Sequence, residues 1–382
     1  MKELDRLVAE VGSARISRRQ FVRRALALGL SATAVGSVLA ACGGEQEGGQ
    51  ATPTATLDET KPEKLILFNW SDYIPLSVCE EFTTRTGIPV SVTHYDNNEA
   101  LLAKLRAGSR GYDLCFPGDY MVSVLFKSGL LEPLRMDLIP NFQNVASGMQ
   151  KPKFDPEEDG NKYSVPYQWG TTGIAVRTDL YASDVTSWSA LWDPANENDI
   201  QMLDDERETM GAALKLLGYS LNTTDQGELD QAVEKLIEQK PLVRAYTNAN
   251  VARPVLSGVP LVHIFDGDAR RAMDELGVDK VAYVLPAEGF SMWTDNVCIP
   301  VEGNSVYWAH KFIDMLCEPE IAAAVTNYTQ YLSPIPDATP MLDEVLQAAT
   351  PPEDVLASGE GILDLGEFNR QYAEGWQKVR AS

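Results

Sequence analysis

Hydrophobic and polar positions along this chain switch repeatedly between a period of two and a period near 3.6. Lys64-Leu-Ile-Leu-Phe68 is an apolar run of strand length, followed by a polar and aromatic loop, Asn69 to Tyr73, and a helical stretch that ends at Gly87. Val90, Val92 and His94 alternate as a second strand. Asn97-Asn98 then opens a helix with Leu101, Leu102 and Leu105 on one face, and Tyr112 to Pro117 supplies a third strand. The order βαβαβ predicts a parallel sheet with helices on both sides. Ligands are expected in the loops beyond the strand carboxyl ends, here Asn69–Tyr73 and Pro117–Tyr120.

The second half repeats the logic. Ile174 to Val176 and Leu261 to Phe265 read as strands, Val233 to Ile237 lies within a helix, and Ala269 to Leu276 forms another. Val281 to Leu285 and Asn296 to Pro300 follow as strands. Phe312, Ile313 and Leu316 then mark one helical face, and Trp376 closes a last helix. This implies a second α/β lobe.

The first 42 residues follow neither period. Ser17-Arg-Arg-Gln-Phe-Val-Arg-Arg24 precedes an apolar run of small residues, Ala25 to Ala41, too short for the roughly 20 apolar residues of a membrane-spanning helix. The twin arginine reads as a Tat export signal. Leu39-Ala-Ala-Cys42 resembles the lipobox of bacterial lipoproteins, which marks Cys42 for lipidation. Residues 43–62, rich in Gly and Thr, read as a flexible tether.

Charge narrows the ligand. With 32 Lys and Arg against 55 Asp and Glu in 382 residues, net charge is −23, and residues 1–42 carry more basic than acidic groups. A phosphate-binding surface driven by net charge, and with it nucleic acid, is disfavoured, whereas a cation is attracted over long range. Cys79, Cys115, Cys298 and Cys317 remain after export, with no CxxC, and four cysteines allow three disulfide pairings. Cys115 and Cys298 fall in apolar, strand-like runs, so buried free thiols are expected.

The chain contains no GxSxG, HExxH, Walker A or GxGxxG motif, and His94, His263 and His310 stand at no metal-ligand spacing. A carboxylate-based glycosidase needs only two acids and stays open. The distinctive feature is aromatic residues beside carboxylates: Trp70-Ser-Asp72-Tyr73, Asp119-Tyr120, Phe265-Asp-Gly-Asp268 and Trp293-Thr-Asp295. An aromatic face attracts a cation by about 0.5–2 kcal/mol, and a carboxylate adds a charged hydrogen bond of about 1.5–3 kcal/mol. Together they describe a primary-amine site. Asp205-x-x-Glu208 has two readings from its residues alone, as amine ligands or as a capping box opening an amphipathic helix.

Several segments resemble, in order, the bacterial spermidine/putrescine-binding proteins of ABC transporters. They are Asn69 to Pro75, Tyr112 to Tyr120, Ser164 to Gly170, Ser187 to Trp192, Leu203 to Glu208, Leu217 to Asn222 and Glu288 to Asp295. The resemblance implies a two-lobed periplasmic-binding-protein (type II) α/β fold, with lobes at 63–168 with 295–339 and 169–294 with 340–382, crossing hinge strands and the ligand between the lobes. It implies an aromatic box of Trp70, Tyr73, Tyr120, Phe265, Trp293 and Tyr331. The implied carboxylates are Asp72, Asp205, Glu208, Asp268 and Asp295. Phe265 stands where the family often has Trp, and Gly118 where Ser is frequent. The expectation is a monomeric, lipid-anchored, extracytoplasmic binding protein that catalyses nothing, uses no cofactor or metal and delivers a polyamine to membrane permease subunits. A binding protein for thiamine or iron remains the alternative, Tyr328 and Tyr331 being the one close late tyrosine pair.

Overall fold

The computed structural model describes residues 57–382 apart from 109–110, 156–160, 249, 302 and 348. The signal segment 1–42, Cys42 and most of the tether lie outside the described residues. The fold opens with β1 (Leu65–Trp70), α1 (Leu76–Thr86), β2 (Val90–Tyr95), α2 (Asn98–Arg106), β3 (Leu114–Cys115) and α3 (Asp119–Lys127). Gly87 stops α1 in the left-handed region at φ 76°, and the Asn97 side chain starts α2 by accepting from Ala100 N. β1 runs parallel to both β2 and β3, as the sequence pattern implies. Leu65 and Leu67 face a core with Phe82 of α1, whereas Phe68 faces Leu101 of α2 and Val122 of α3. Both sheet faces are thereby buried.

The expected third strand, Tyr112 to Pro117, is reduced to two residues, and Pro117–Tyr120 is only partly a loop because α3 begins at Asp119. After Pro117, which cannot donate to a ladder, Gly118 is the extended N-cap of that helix.

The second half contains β4 (Ser164–Arg177), β5 (Ile200–Met202), α4 (Glu206–Leu216), α5 (Gln226–Gln239), β6 (Val243–Tyr246), α6 (Ala252–Leu256), β7 (Leu261–Phe265) and α7 (Asp266–Leu276). β8 (Val281–Val284), β9 (Phe290–Cys298), α8 (Val306–Leu316), α9 (Pro319–Thr329), β10 (Gly359–Gly361) and α10 (Asn369–Ala381) follow, with single helical turns at Glu344–Gln347 and Glu353–Leu356. Strand order is β2-β1-β3-β9-β4-β7-β5-β6, with β10 on β9 and β8 on β4.

The strand expected at Ile174–Val176 is in fact 14 residues long. Its first half pairs antiparallel with β9 from Ser164 to Thr171, and its second half with β7 and β8. Likewise the strand expected at 296–300 starts at Phe290. The two long strands link two hydrophobic centres, one around Phe82, Phe116 and Phe312, the other around Trp188, Met210 and Trp376. Buried polar residues such as Gln168, Thr171 and Thr172 broke the apolar pattern that would have announced β4.

Candidate functional site

A cavity of about 390 Å³ opens at the carboxyl ends of the parallel strands, and all of Trp70, Asp72, Tyr73, Tyr120, Asp205, Glu208, Phe265, Asp268, Trp293, Asp295 and Tyr331 line it. The topology accounts for this convergence. Trp70 ends β1, Tyr120 follows β3, Asp205 follows β5, and Phe265 ends β7 before Asp268 in the first turn of α7. Trp293 and Asp295 lie in the middle of β9 rather than in a loop. Two residues apart, they project to the same side of the strand. Tyr331 follows α9.

Aromatic rings meet edge to face along one wall. Centroids lie 5.8 Å apart for Phe265 and Trp293, 5.1 Å for Trp293 and Tyr331, and 5.6 Å for Tyr331 and Tyr73. Two glycines make this wall possible. A Cβ on Gly170 would stand 2.6 Å from the Trp293 ring, and one on Gly267 2.4 Å from Tyr331. Across the cavity Trp70 packs on Tyr95 at 4.6 Å, and its Nε1 donates to Phe116 O at 2.8 Å.

The carboxylates are held by the same rings. Tyr73 donates its hydroxyl to Asp295 Oδ2, and Tyr331 donates to Asp268 Oδ2, each at 2.6 Å. Tyr120 donates to Glu99 Oε1 at 2.9 Å. Of the capping box at Asp205-x-x-Glu208 only the first half forms, and its residue also faces the cavity. Asp205 caps α4, its Oδ1 accepting from Arg207 N at 2.9 Å and Glu208 N at 3.0 Å, while still lining the cavity. Glu208 is turned away from the cap and accepts instead from the Ser291 hydroxyl.

Burial raises the proton affinity of these groups because the charged form loses hydration. Asp295 is pushed up to about 7 by burial, against the opposing Tyr73 hydrogen bond. Glu208 is pushed up to about 8 by burial and by Asp205. Burial also raises Asp205 and Asp268. Asp72 is exposed, in the left-handed region at φ 54°.

Sequence reasoning placed no role on several other lining residues, among them Tyr95, Asp96, Asn98, Asn248, Asn250 and Arg271. Asp119 was visible as part of Asp119-Tyr120, but the family resemblance did not single it out. Arg271 approaches Asp268 at 3.9 Å and donates to Asp72 O at 3.2 Å. Tyr328, the other half of the late tyrosine pair, is 45% exposed and outside the cavity lining. Among the described residues, no group of three or more His, Cys, Asp or Glu is arranged to hold a metal. Cys79, Cys115, Cys298 and Cys317 are all buried and free, as expected.

A two-lobed α/β fold threaded by long shared strands, with an acidic and aromatic cavity at the strand ends, defines an extracellular solute-binding protein. The family model for bacterial extracellular solute-binding proteins matches residues 77–351, and the chain belongs to that family. Its relatives are binding proteins of transporters. It is 35% identical over 328 residues to the spermidine/putrescine-binding periplasmic protein of Salmonella typhimurium, covering 84% of this chain and 92% of that one. The protein of the same description from Escherichia coli is 36% identical over 326 residues, covering 83% and 91%. Among solved structures, a spermidine/putrescine ABC transporter protein of Listeria monocytogenes superposes with a TM-score of 0.80 at 33% identity, covering 84% of this chain and 99% of that one. A lipoprotein of Treponema pallidum does so with a TM-score of 0.75 at 30% identity, covering 83% and 99%.

Proposed function

We propose that this protein is the solute-capturing component of an ABC importer and that its solute is a polyamine, spermidine or putrescine. One observation carries the reading. The cavity holds buried carboxylates, Asp295 and Glu208 among them, that form no ion pair with Lys or Arg among the described residues, and they stand beside aromatic rings. Buried charges are ordinarily paired, so the site supplies acids and ring faces and leaves the cations to the ligand. Alkyl ammonium groups, with pKa near that of Lys at about 10, arrive fully charged.

The named relatives support the same reading. Asp72, Asp205, Glu208, Asp268 and Asp295 are the proposed amine ligands. Trp70, Tyr73, Tyr120, Phe265, Trp293 and Tyr331 are proposed to cover the methylene chain. The protein binds without turning its ligand over.

Export through the twin-arginine signal, a lipid anchor on Cys42, delivery to permease subunits and a monomeric state complete the proposal. The description of the Treponema relative as a lipoprotein accords with the anchor. The proposed lobes are 63–168 with 295–339 and 169–294 with 340–382, hinged on β4 and β9 and closing on the ligand. Leu342 and Leu346 pack in the core of the first of these and Ile362 beside Phe68, so the return from residue 340 passes along that lobe.

The test is calorimetric titration of the protein freed of residues 1–42, refolded from denaturant to remove copurified ligand, with putrescine, spermidine and spermine in turn. Saturable one-to-one binding of at least one is expected. Absence of heat and of thermal shift with all three overturns the reading.

A further inference from the structure

Tyr331 is the ring on which the aromatic wall and the acids meet, and what fixes its place lies outside the cavity. Leu332, just after it, exchanges two backbone hydrogen bonds with Trp169 of β4, each at 3.0 Å. Gln330, just before it, ends α9 in the left-handed region at φ 65°, uncommon for a residue with a Cβ. Its N donates to Thr326 O at 2.8 Å, and its carbonyl accepts from Arg270 Nε at 2.7 Å. One side of Tyr331 is therefore tied to a strand and the other to a single buried guanidinium.

Arg270 lies one turn into α7 and donates its second prong to Asp266 Oδ2 at 2.5 Å, with the two side chains 8% and 2% exposed. Neither residue lines the cavity. An ion pair within one helix needs only one prong, yet here the planar fork also reaches a carbonyl 60 residues further along the chain. Asp266 in turn accepts from Gly267 N at 2.9 Å, and Gly267 is where a Cβ would stand 2.4 Å from the Tyr331 ring. The first turns of α7 thus hold Tyr331 three ways: its backbone through Arg270, its ring against Gly267 and its hydroxyl on Asp268. All three contacts join the two proposed lobes.

Resting on the polyamine reading above, we propose that Arg270 is a positioning residue for the amine site. Held by Asp266, it sets Tyr331 against Asp268 and Trp293 where the lobes meet, so that affinity depends on a guanidinium the ligand never touches. Without the fork the Gln330 carbonyl loses this donor, the left-handed turn relaxes, and Tyr331 leaves both its acid and its ring neighbour.

Two variants test this, with circular dichroism verifying the fold of each. Arg270→Lys keeps a charge beside Asp266 and gives up the fork, whereas Asp266→Asn with Arg270→Gln removes both charges together and leaves no buried acid unpaired. The first readout needs no ligand. The indole N–H resonance of Trp293, assigned by its loss in Trp293→Phe, is expected to shift in both variants, while those of Trp188 and Trp376 in the other hydrophobic centre stay in place. An unmoved Trp293 resonance in the folded variants overturns the proposal. The second is a double-mutant cycle on spermidine affinity. Tyr331→Ala is expected to weaken binding about tenfold in the wild type and less than about threefold in the Arg270→Lys background, because Tyr331 is already displaced there. Equal losses in the two backgrounds place the action of Arg270 elsewhere and overturn the proposal. If the wild type binds no polyamine, the polyamine reading itself has failed, and the Trp293 resonance still decides whether Arg270 sets Tyr331.

Discussion

Replacing Asp295 by Asn should weaken ligand binding and at the same time stabilise the empty protein, with a defined pH dependence. Asp295 is 9% exposed, has no basic partner among the described residues and is pushed up to about 7 by burial. Its unfolded value is near 3.9. A carboxyl whose folded pKa is raised stabilises the fold fully below pH about 4. That contribution is lost as the pH rises toward 7, because the unfolded chain ionises first and releases the proton the folded chain retains. From these two values the charge costs the ligand-free fold about 1 kcal/mol at pH 4.5 and about 4 kcal/mol at pH 8.

Asparagine has the shape of the protonated acid and can still accept the Tyr73 hydroxyl hydrogen bond. It also relieves Asp119, which burial first and Asp295 second hold up to about 7. Urea denaturation of ligand-free wild type and Asp295→Asn at pH 4.5 and pH 8 measures the difference. The variant should gain more stability at pH 8 than at pH 4.5, by on the order of 3 kcal/mol. Spermidine should stabilise wild type much more than the variant. Equal pH profiles for the two proteins, or a variant less stable at pH 8, would refute the reasoning that the site holds uncompensated buried acid.

Other outcomes follow from the same geometry. Gly267→Ala inserts a Cβ 2.4 Å from the Tyr331 ring and pushes that ring off Asp268, so melting should report a loss of about 1–3 kcal/mol and calorimetry a weaker complex. Trp70→Ala removes one ring face from the cavity and should raise Kd about two- to thirtyfold. Burial lifts Cys79 to about 11 and Cys317 to about 12, and raises Cys115 and Cys298 as well. These four thiols should therefore resist a disulfide reagent at pH 8 and react only after unfolding. Stopped-flow association of a polyamine should slow as salt rises, because the net charge of −23 attracts it. Small-angle scattering should show a smaller radius with saturating ligand, and an unchanged radius would count against lobe closure.

The sequence by itself determined the local units and the vocabulary of the site. Leu65–Phe68 is apolar throughout because β1 is covered on both faces, Val90, Val92 and His94 alternate along the edge strand, and Asn97 and Gly87 mark helix ends through their own backbone preferences. Rings beside acids at Trp70-Ser-Asp72-Tyr73 and Trp293-Thr-Asp295 already indicated an amine. Motif resemblance, not periodicity, brought Asp205 and Glu208 into the same set.

Only the tertiary structure decided what those residues became. Gln168, Thr171 and Thr172 are polar yet wholly buried, since β4 is covered as it passes from one half of the sheet to the other, so no hydropathy pattern could show its length. Asp205 both caps a helix and lines the cavity, which local sequence can only pose as alternatives. Asp119 stood in the sequence as the acid of Asp119-Tyr120 in an expected loop, and the structure makes it the first residue of α3. The pairing of β3 with β9, residues far apart in the chain, brings it beside Asp295 and buries it, and burial and neighbouring charge are properties that no residue possesses alone.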